Sequence, residues 1–194
     1  MMRKAIAIDL DGTLCRRNTF NIFLRELLRS QAGRPSEFAR LAGWMTARKL
    51  RIISHAEMKR HILSHAAAHD KALIGRATDI IVANANREVV ALMKKCRADE
   101  YATILATAAP EVYASEVARR FGFDFCIATP TPVAGQKWEE ARGTIKRDRI
   151  LHVAADNSLA LDIAVSDHSD DKPMLMAARQ AILVEMPVGN LRRI

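Results

Sequence analysis

Two carboxylates two residues apart, Asp9 and Asp11, have the type and spacing to work on one reacting group. They stand in the stretch Lys4-Ala5-Ile6-Ala7-Ile8-Asp9-Leu10-Asp11-Gly12-Thr13-Leu14. Residues two apart in an extended segment project to the same side. One aspartate can therefore attack as a nucleophile while the other moves a proton. Gly12 frees the backbone to turn sharply just after them. Taken alone, the same residues also fit a strand that closes in an ordinary polar turn. The choice rests on what the rest of the chain brings beside them.

The elements that must position these acids can be read from periodicity. Ala5 to Ile8 is a continuous apolar run, the pattern of a strand covered on both faces. Tyr101 to Ala106 reads as a second strand and runs into Thr107-Ala108-Ala109-Pro110. Phe123 to Ala128 is a third, and Ala181 to Val184 a fifth. The fourth, Ala160 to Ser166, ends in a second acidic cluster, Asp167-His168-Ser169-Asp170-Asp171. Helices are expected over 111–120, closed by Gly122, over 144–155 and over 174–178, and a loop over 129–143. Strands alternating with helices predict an α/β fold, a three-layer Rossmann-like parallel sheet with right-handed crossovers. In such sheets ligands bind beyond the carboxyl ends of the strands, where Asp9, Thr107 and Asp167 all fall.

Between the first two strands lies a long helical stretch. Phe20, Phe23, Leu24, Leu27 and Leu28 predict an amphipathic helix over 18–30, with Asn18 or Thr19 at its start. Gly33-Arg34-Pro35 breaks it. A second helix opens at Pro35 or Ser36, with Phe38, Leu41, Ala42 and Met45 on one face. A third is expected over 55–68 with Met58, Ile62 and Leu63 inward, and helix continues over 71–97. We expect 1–15 and 86–194 to form the core and 16–85 an inserted helical unit. His61, His65 and His69 recur every fourth residue on the third helix. No acid or cysteine accompanies them at ligand spacing, so they are expected on an exposed helical face rather than around a metal.

Composition narrows the class. The 194 residues are 49% hydrophobic and 27% charged, which suits one full core and a small second unit. No apolar run approaches the roughly 20 residues of a membrane span, and the N-terminal run is too short for a signal peptide. Cys15, Cys96 and Cys126 are widely spaced, without a disulfide or metal pattern, so a cytoplasmic location is expected. The net charge of +8 is concentrated: eleven Lys/Arg but only three acids lie between Arg16 and Arg60, an excess equal to the whole. Such a block suits an anionic partner or a solvated helical surface. With no interleaved aromatic and basic surface, nucleic acid is not the expected partner. The oligomeric state is open.

The ordered set of strand-end residues resembles the haloacid dehalogenase superfamily, and within it the phosphoserine phosphatase-like members with a helical cap between the first two motifs. Asp9-Leu10-Asp11-Gly12-Thr13 matches the first motif, Thr107 the second, an upstream lysine the third, and Asp167 to Asp171 the fourth. For the lysine, Lys146 is preferred to Lys137. It lies 21 residues before Asp167, room for a helix and a strand, whereas Lys137 falls in the Pro/Gly-rich loop. The resemblance implies an aspartyl-phosphate on Asp9, with Asp11 as general acid and base. It implies Mg²⁺ held by Asp9, the Asp11 carbonyl and Asp167, with Asp171 or Asp170 orienting Lys146 or the metal's waters. Gly12, Thr13, Thr107 and Ala108 would meet the phosphoryl group, and Arg16 and Arg17 a further anionic group on a small phosphorylated substrate. Lys49, Arg51, Lys59 and Arg60 are expected to face solvent.

A departing halide needs no proton while an alkoxide does, so the second acid, Asp11, favours phosphoryl transfer over dehalogenation. Phosphoserine phosphatases carry an acid shortly after the first motif; here Arg16-Arg17-Asn18-Thr19 stand there, which argues against L-phosphoserine. Two other readings compete: a phosphotransferase of the same fold, and a catalytically decayed module that binds anions, lipid or nucleic acid. The intact Asp9, Asp11, Thr107, Lys146 and Asp167 argue against decay.

Overall fold

The computed structural model describes residues 2–185 and 189–193. Strand β1 (Arg3–Ile8) lies between β2 (Ala102–Pro110) and β4 (Leu159–Ser166) in a six-stranded sheet of order β3-β2-β1-β4-β5-β6. β3 spans Phe125–Thr129, β5 Gln180–Glu185 and β6 Asn190–Arg193. The first five strands pair in parallel, as expected, and β6 pairs antiparallel to β5. The chain fills the sheet outward from β1 to β3, then returns to the other side of β1 with β4. The switch point therefore falls between β1 and β4, beyond which Asp9 and Asp167 project.

Alternation along β1 divides the core. Ile6 and Ile8 face one side, with Leu105, Ile163 and Val165, under helices α1 (Thr19–Ser30), α4 (Lys71–Ala83), α5 (Arg87–Ala98) and α6 (Glu111–Phe121). Ala5 and Ala7 face the other with Ala102, Ala106 and Ala164, under α7 (Gly143–Asp156) and α8 (Lys172–Ala177). The alanine face lets α7 approach the sheet closely, which sets the depth of Lys146. Each fully buried isoleucine contributes about 1.5–3 kcal/mol.

Five helices separate β1 from β2: α1, α2 (Pro35–Lys49), α3 (His55–Leu63), α4 and α5. Asn18 caps α1, its side chain accepting from the Asn21 N–H. A Ser54–Glu57 capping box starts α3. The expected helix over 71–97 is two, broken at 84–86. There the outgoing and returning chain lie side by side, the Arg16 N–H donating to the Asn84 carbonyl and the Asn86 N–H to that of Leu14. α3 also stops early, at Leu63, and Ala66–His69 forms a 3-10 turn. Of the face expected inward on α2, Leu41 is buried while Phe38 is 42% exposed. No helix among the described residues is long and apolar enough to cross a membrane.

The histidine stripe is broken by the same early stop. His61 stacks on Trp44 with ring centroids 5.3 Å apart, His65 Nε2 lies 2.6 Å from Glu37, and His69 Nε2 faces the Leu63 carbonyl at 2.8 Å. Trp44 also meets His65 edge-on at 6.1 Å, so His61 and His65 share it while His69 is engaged elsewhere, and His65 is half-buried rather than on an open face. Among the described residues no group of three His, Cys, Asp or Glu side chains is placed to hold a metal.

Candidate active site

Beyond the carboxyl ends of β1, β2 and β4 lies a cleft of about 380 Å³, lined by Asp9, Asp11, Thr107, Lys146, Asp167 and Asp171 among others. A larger concavity of about 1290 Å³ lies among α1 to α4 and shares no residue with it. It holds no buried lysine–carboxylate set, so the chemistry belongs to the smaller cleft.

Lys146 is the pivot. It sits on α7, is 2% exposed, and puts Nζ 2.8 Å from Asp9 Oδ1 and 2.6 Å from Asp171 Oδ1. Lys137 is instead an exposed partner of Glu139. Burial opposes the Lys146 ammonium, but Asp9 and Asp171 outweigh it and hold its pKa above the ordinary value. Asp171 is fully engaged, since its Oδ2 accepts from the Ser166 hydroxyl at 2.7 Å. Asp171, rather than Asp170, thus stands where it can orient Lys146, one of the two roles that the resemblance implied for it. Asp170 lines the mouth of the cleft, where it pairs with Arg142.

Burial pushes Asp9 up to about 7, against the pull of Lys146 and with the help of Asp171. Asp11 is also raised, by burial first, against the Thr19 N–H that bonds its Oδ1 and against the charges of Lys59 and Lys146. That N–H opens α1, so a helix N-terminus holds the second aspartate. Asp167 is raised by burial, opposed by the Thr13 hydroxyl. Thr13, expected to meet substrate, is fully buried behind the cleft: its Oγ1 donates to Asp167 Oδ1 at 3.2 Å and accepts from the Asp167 N–H at 2.9 Å.

Gly12 has φ +74°, and a Cβ built there would lie 2.0 Å from Asp167 Oδ2. Only glycine lets the two strand ends close this far. At the floor of the cleft Asp9, Asp11, Asp167 and Asp171 bring oxygen donors together, which fits a hard divalent cation, while Arg16, Arg17, Arg142 and His168 stand at its mouth. Asp9, Asp167 and the Asp11 carbonyl would hold it, with Asp167 close against Gly12.

Late in β2, where its register with β3 breaks after Ala106, Thr107 Oγ1 accepts from the Ala109 N–H at 3.0 Å, which leaves its own proton to donate. Arg16 and Arg17 are exposed and line the mouth, joined there by Arg142 and His168. The sequence reading missed these two. Arg142 immediately precedes α7, so its link to Lys146 along one helix was the available signal. It also misjudged Lys59, which is 5% exposed at the edge of the site rather than in solvent.

The sequence pattern of haloacid dehalogenase-like hydrolases matches residues 6–176, and the chain belongs to that family. No curated protein matches the sequence. Among solved structures, a Bordetella pertussis Tohama I protein of unknown function shares 21% identity over 94% of this chain and 90% of its own, with TM-score 0.74. An apo phosphoserine phosphatase shares 17% identity over 92% and 84%, with TM-score 0.59. A phosphoserine phosphatase carrying a phospho-aspartyl intermediate analogue shares 16% over 94% and 87%, also with TM-score 0.59. Family and neighbours together support a phosphatase-type hydrolase.

Proposed function

We propose that this chain is a Mg²⁺-dependent phosphomonoesterase that works through an aspartyl-phosphate on Asp9. The observation that carries this is the buried Lys146 bridging Asp9 and Asp171 at the floor of the cleft. In the first step the free Asp9 oxygen attacks phosphorus, the ester P–O bond breaks, and Asp11 gives its proton to the departing alkoxide. In the second, Asp11 takes a proton from water, which attacks the aspartyl-phosphate and releases inorganic phosphate and Asp9. Thr107 Oγ1 donates to a phosphoryl oxygen, and the Lys146 ammonium offsets charge that grows in both steps. A bound Mg²⁺ would supply charge neutralisation between the anionic ester and Asp9. The raised pKa of Asp11 suits a group that must carry a proton before it donates one.

We read 16–85 as a cap over this cleft. The paired crossings at Leu14–Arg16 and 84–86 support those boundaries. With Arg16, Arg17 and Arg142 at the mouth, the favoured substrate is a small phosphorylated metabolite with negative charge beyond its scissile phosphate. The test of the activity is a panel of phosphorylated metabolites with Mg²⁺ and after chelation; metal-independent hydrolysis, or none, would overturn the reading.

Two predictions follow from the geometry at the strand ends and the mouth. Gly12→Ala should displace Asp167 and raise the Mg²⁺ concentration for half-maximal activity by about tenfold or more. Manganese binding followed by electron paramagnetic resonance checks this without turnover, and unchanged affinity would mean Asp167 is no ligand. Replacing Arg16 and Arg17 together by Ala should raise KM for an anionic substrate by about tenfold while altering that of a neutral aryl phosphate by less than about threefold. Equal losses on both would reduce the basic mouth to a surface.

A further inference from the structure

The least expected charge in the molecule is Lys59. It lies on α3, far in sequence from every strand end, yet its ammonium is buried at the rim of the cleft. Burying an ammonium is costly unless it is paired and hydrogen-bonded. Here Nζ lies 2.7 Å from Glu140 Oε1, 3.2 Å from the Ala108 carbonyl oxygen and 5.5 Å above the Phe20 ring. The Glu140 contact is a close ion pair without hydrogen-bond alignment, since Oε1 has no aligned donor. The donated hydrogen bond of Lys59 therefore goes to Ala108.

That carbonyl belongs to the peptide joining Ala108 to Ala109. The N–H at the other end of the same plane donates to Thr107 Oγ1 at 3.0 Å. The plane is planar and stiff, so fixing its oxygen fixes the direction of its N–H. Thr129 Oγ1 donates to the same oxygen at 2.7 Å and accepts from the Ala141 N–H at 3.1 Å, so the core already holds one side of it. Lys59 holds the other from the inserted helices.

We infer that Lys59 is a positioning residue: through the Ala108–Ala109 peptide it orients the Thr107 hydroxyl toward the phosphoryl group, and Glu140 holds its ammonium in place. Docking of the helical insertion is thereby tied to assembly of the phosphate-binding strand end. The inference rests on the role proposed above for Thr107. It does not require Lys59 to touch substrate.

The experiment compares wild type, Lys59→Met with Glu140→Gln, Thr107→Ala, and all three changes together, on p-nitrophenyl phosphate with Mg²⁺. Changing Glu140 with Lys59 avoids leaving a carboxylate without its partner; should the pair not fold, Lys59→Gln takes its place with the same expectations. The pair should lower kcat by about tenfold, with KM within about twofold, and should cost less than about twofold once Thr107 is already Ala. An equal cost in both backgrounds, an effect confined to KM, or full activity would overturn the inference. A second readout is independent of turnover: amide hydrogen exchange at Ala109 should be faster in the pair at unchanged global stability, and an unchanged rate would overturn it. If wild type hydrolyses no phosphomonoester, the proposed activity fails, while the exchange measurement still decides whether Lys59 holds this peptide.

Discussion

Asp9→Asn is expected to lower kcat by roughly 10⁴-fold or more, because an amide of almost the same size offers no nucleophilic oxygen. The fold should survive and even gain. Burial raises the Asp9 pKa from 3.8 to about 7, so the folded protein holds this proton more tightly than the unfolded chain. That contribution is complete below the unfolded value and is lost as pH rises toward the folded one. Asparagine, neutral throughout, does not suffer the loss. In chelator, the variant should therefore melt about 2–5 °C above wild type at pH 8 and nearly with it at pH 4. A variant that hydrolyses like wild type would remove Asp9 from its role. A melting difference of the opposite sign would mean that the Lys146 pair, not burial, dominates at Asp9.

Lys146→Met should produce the next largest effect. The change leaves Asp9 and Asp171 buried around the same point with no cation between them. Breaking a buried pair from one side costs about 3–5 kcal/mol, which for a chain of this size lowers Tm by about 10 °C. Loss of the ammonium from the transition state should lower kcat by roughly 10²–10³-fold. Added Mg²⁺ should recover part of the stability and little of the rate. Turnover within tenfold of wild type would assign the charge balance to another group.

The sheet and most of the site were legible because strand termini carry a strong local signal. A continuous apolar run followed by Asp, Thr or an acidic cluster marks both the strand and the end that faces the cleft, as at Asp9, Thr107 and Asp167. Lys146 could be chosen over Lys137 because the remaining chain had to hold a helix and a strand. Other features depended on packing that no single segment records. Thr13 lies in the first motif, but the Gly12 approach turns it toward Asp167. The break at 84–86 is set by pairing with residues 14–16, far away in sequence. β6 is short and rich in arginine, the composition of an edge strand, and lacks the apolar run that marked the others.

Lys59 is the most instructive miss. A charged residue in a basic helix reads as solvated, and its neighbours Lys49, Arg51 and Arg60 are indeed exposed. Yet Lys59 stands three and four residues before Ile62 and Leu63, on the stripe that was correctly read as inward. Helical phase held the information; residue type overrode it. Burial became possible because Glu140 and the Ala108 carbonyl meet the ammonium, and both come from the far side of the chain.

The proposed mechanism requires a covalent phosphoryl group on Asp9, and trapping it is the most direct test. The Asp11→Asn variant, which lacks the base for the second step, would be mixed with p-nitrophenyl phosphate and Mg²⁺, quenched in acid, and the peptide containing Asp9 weighed by mass spectrometry. This peptide should carry one added phosphoryl group, and the group should be absent when Asp9 is also Asn. Catalytic turnover by wild type together with an unmodified Asp9 peptide in the quenched variant, or a phosphoryl group found on another residue, would contradict it.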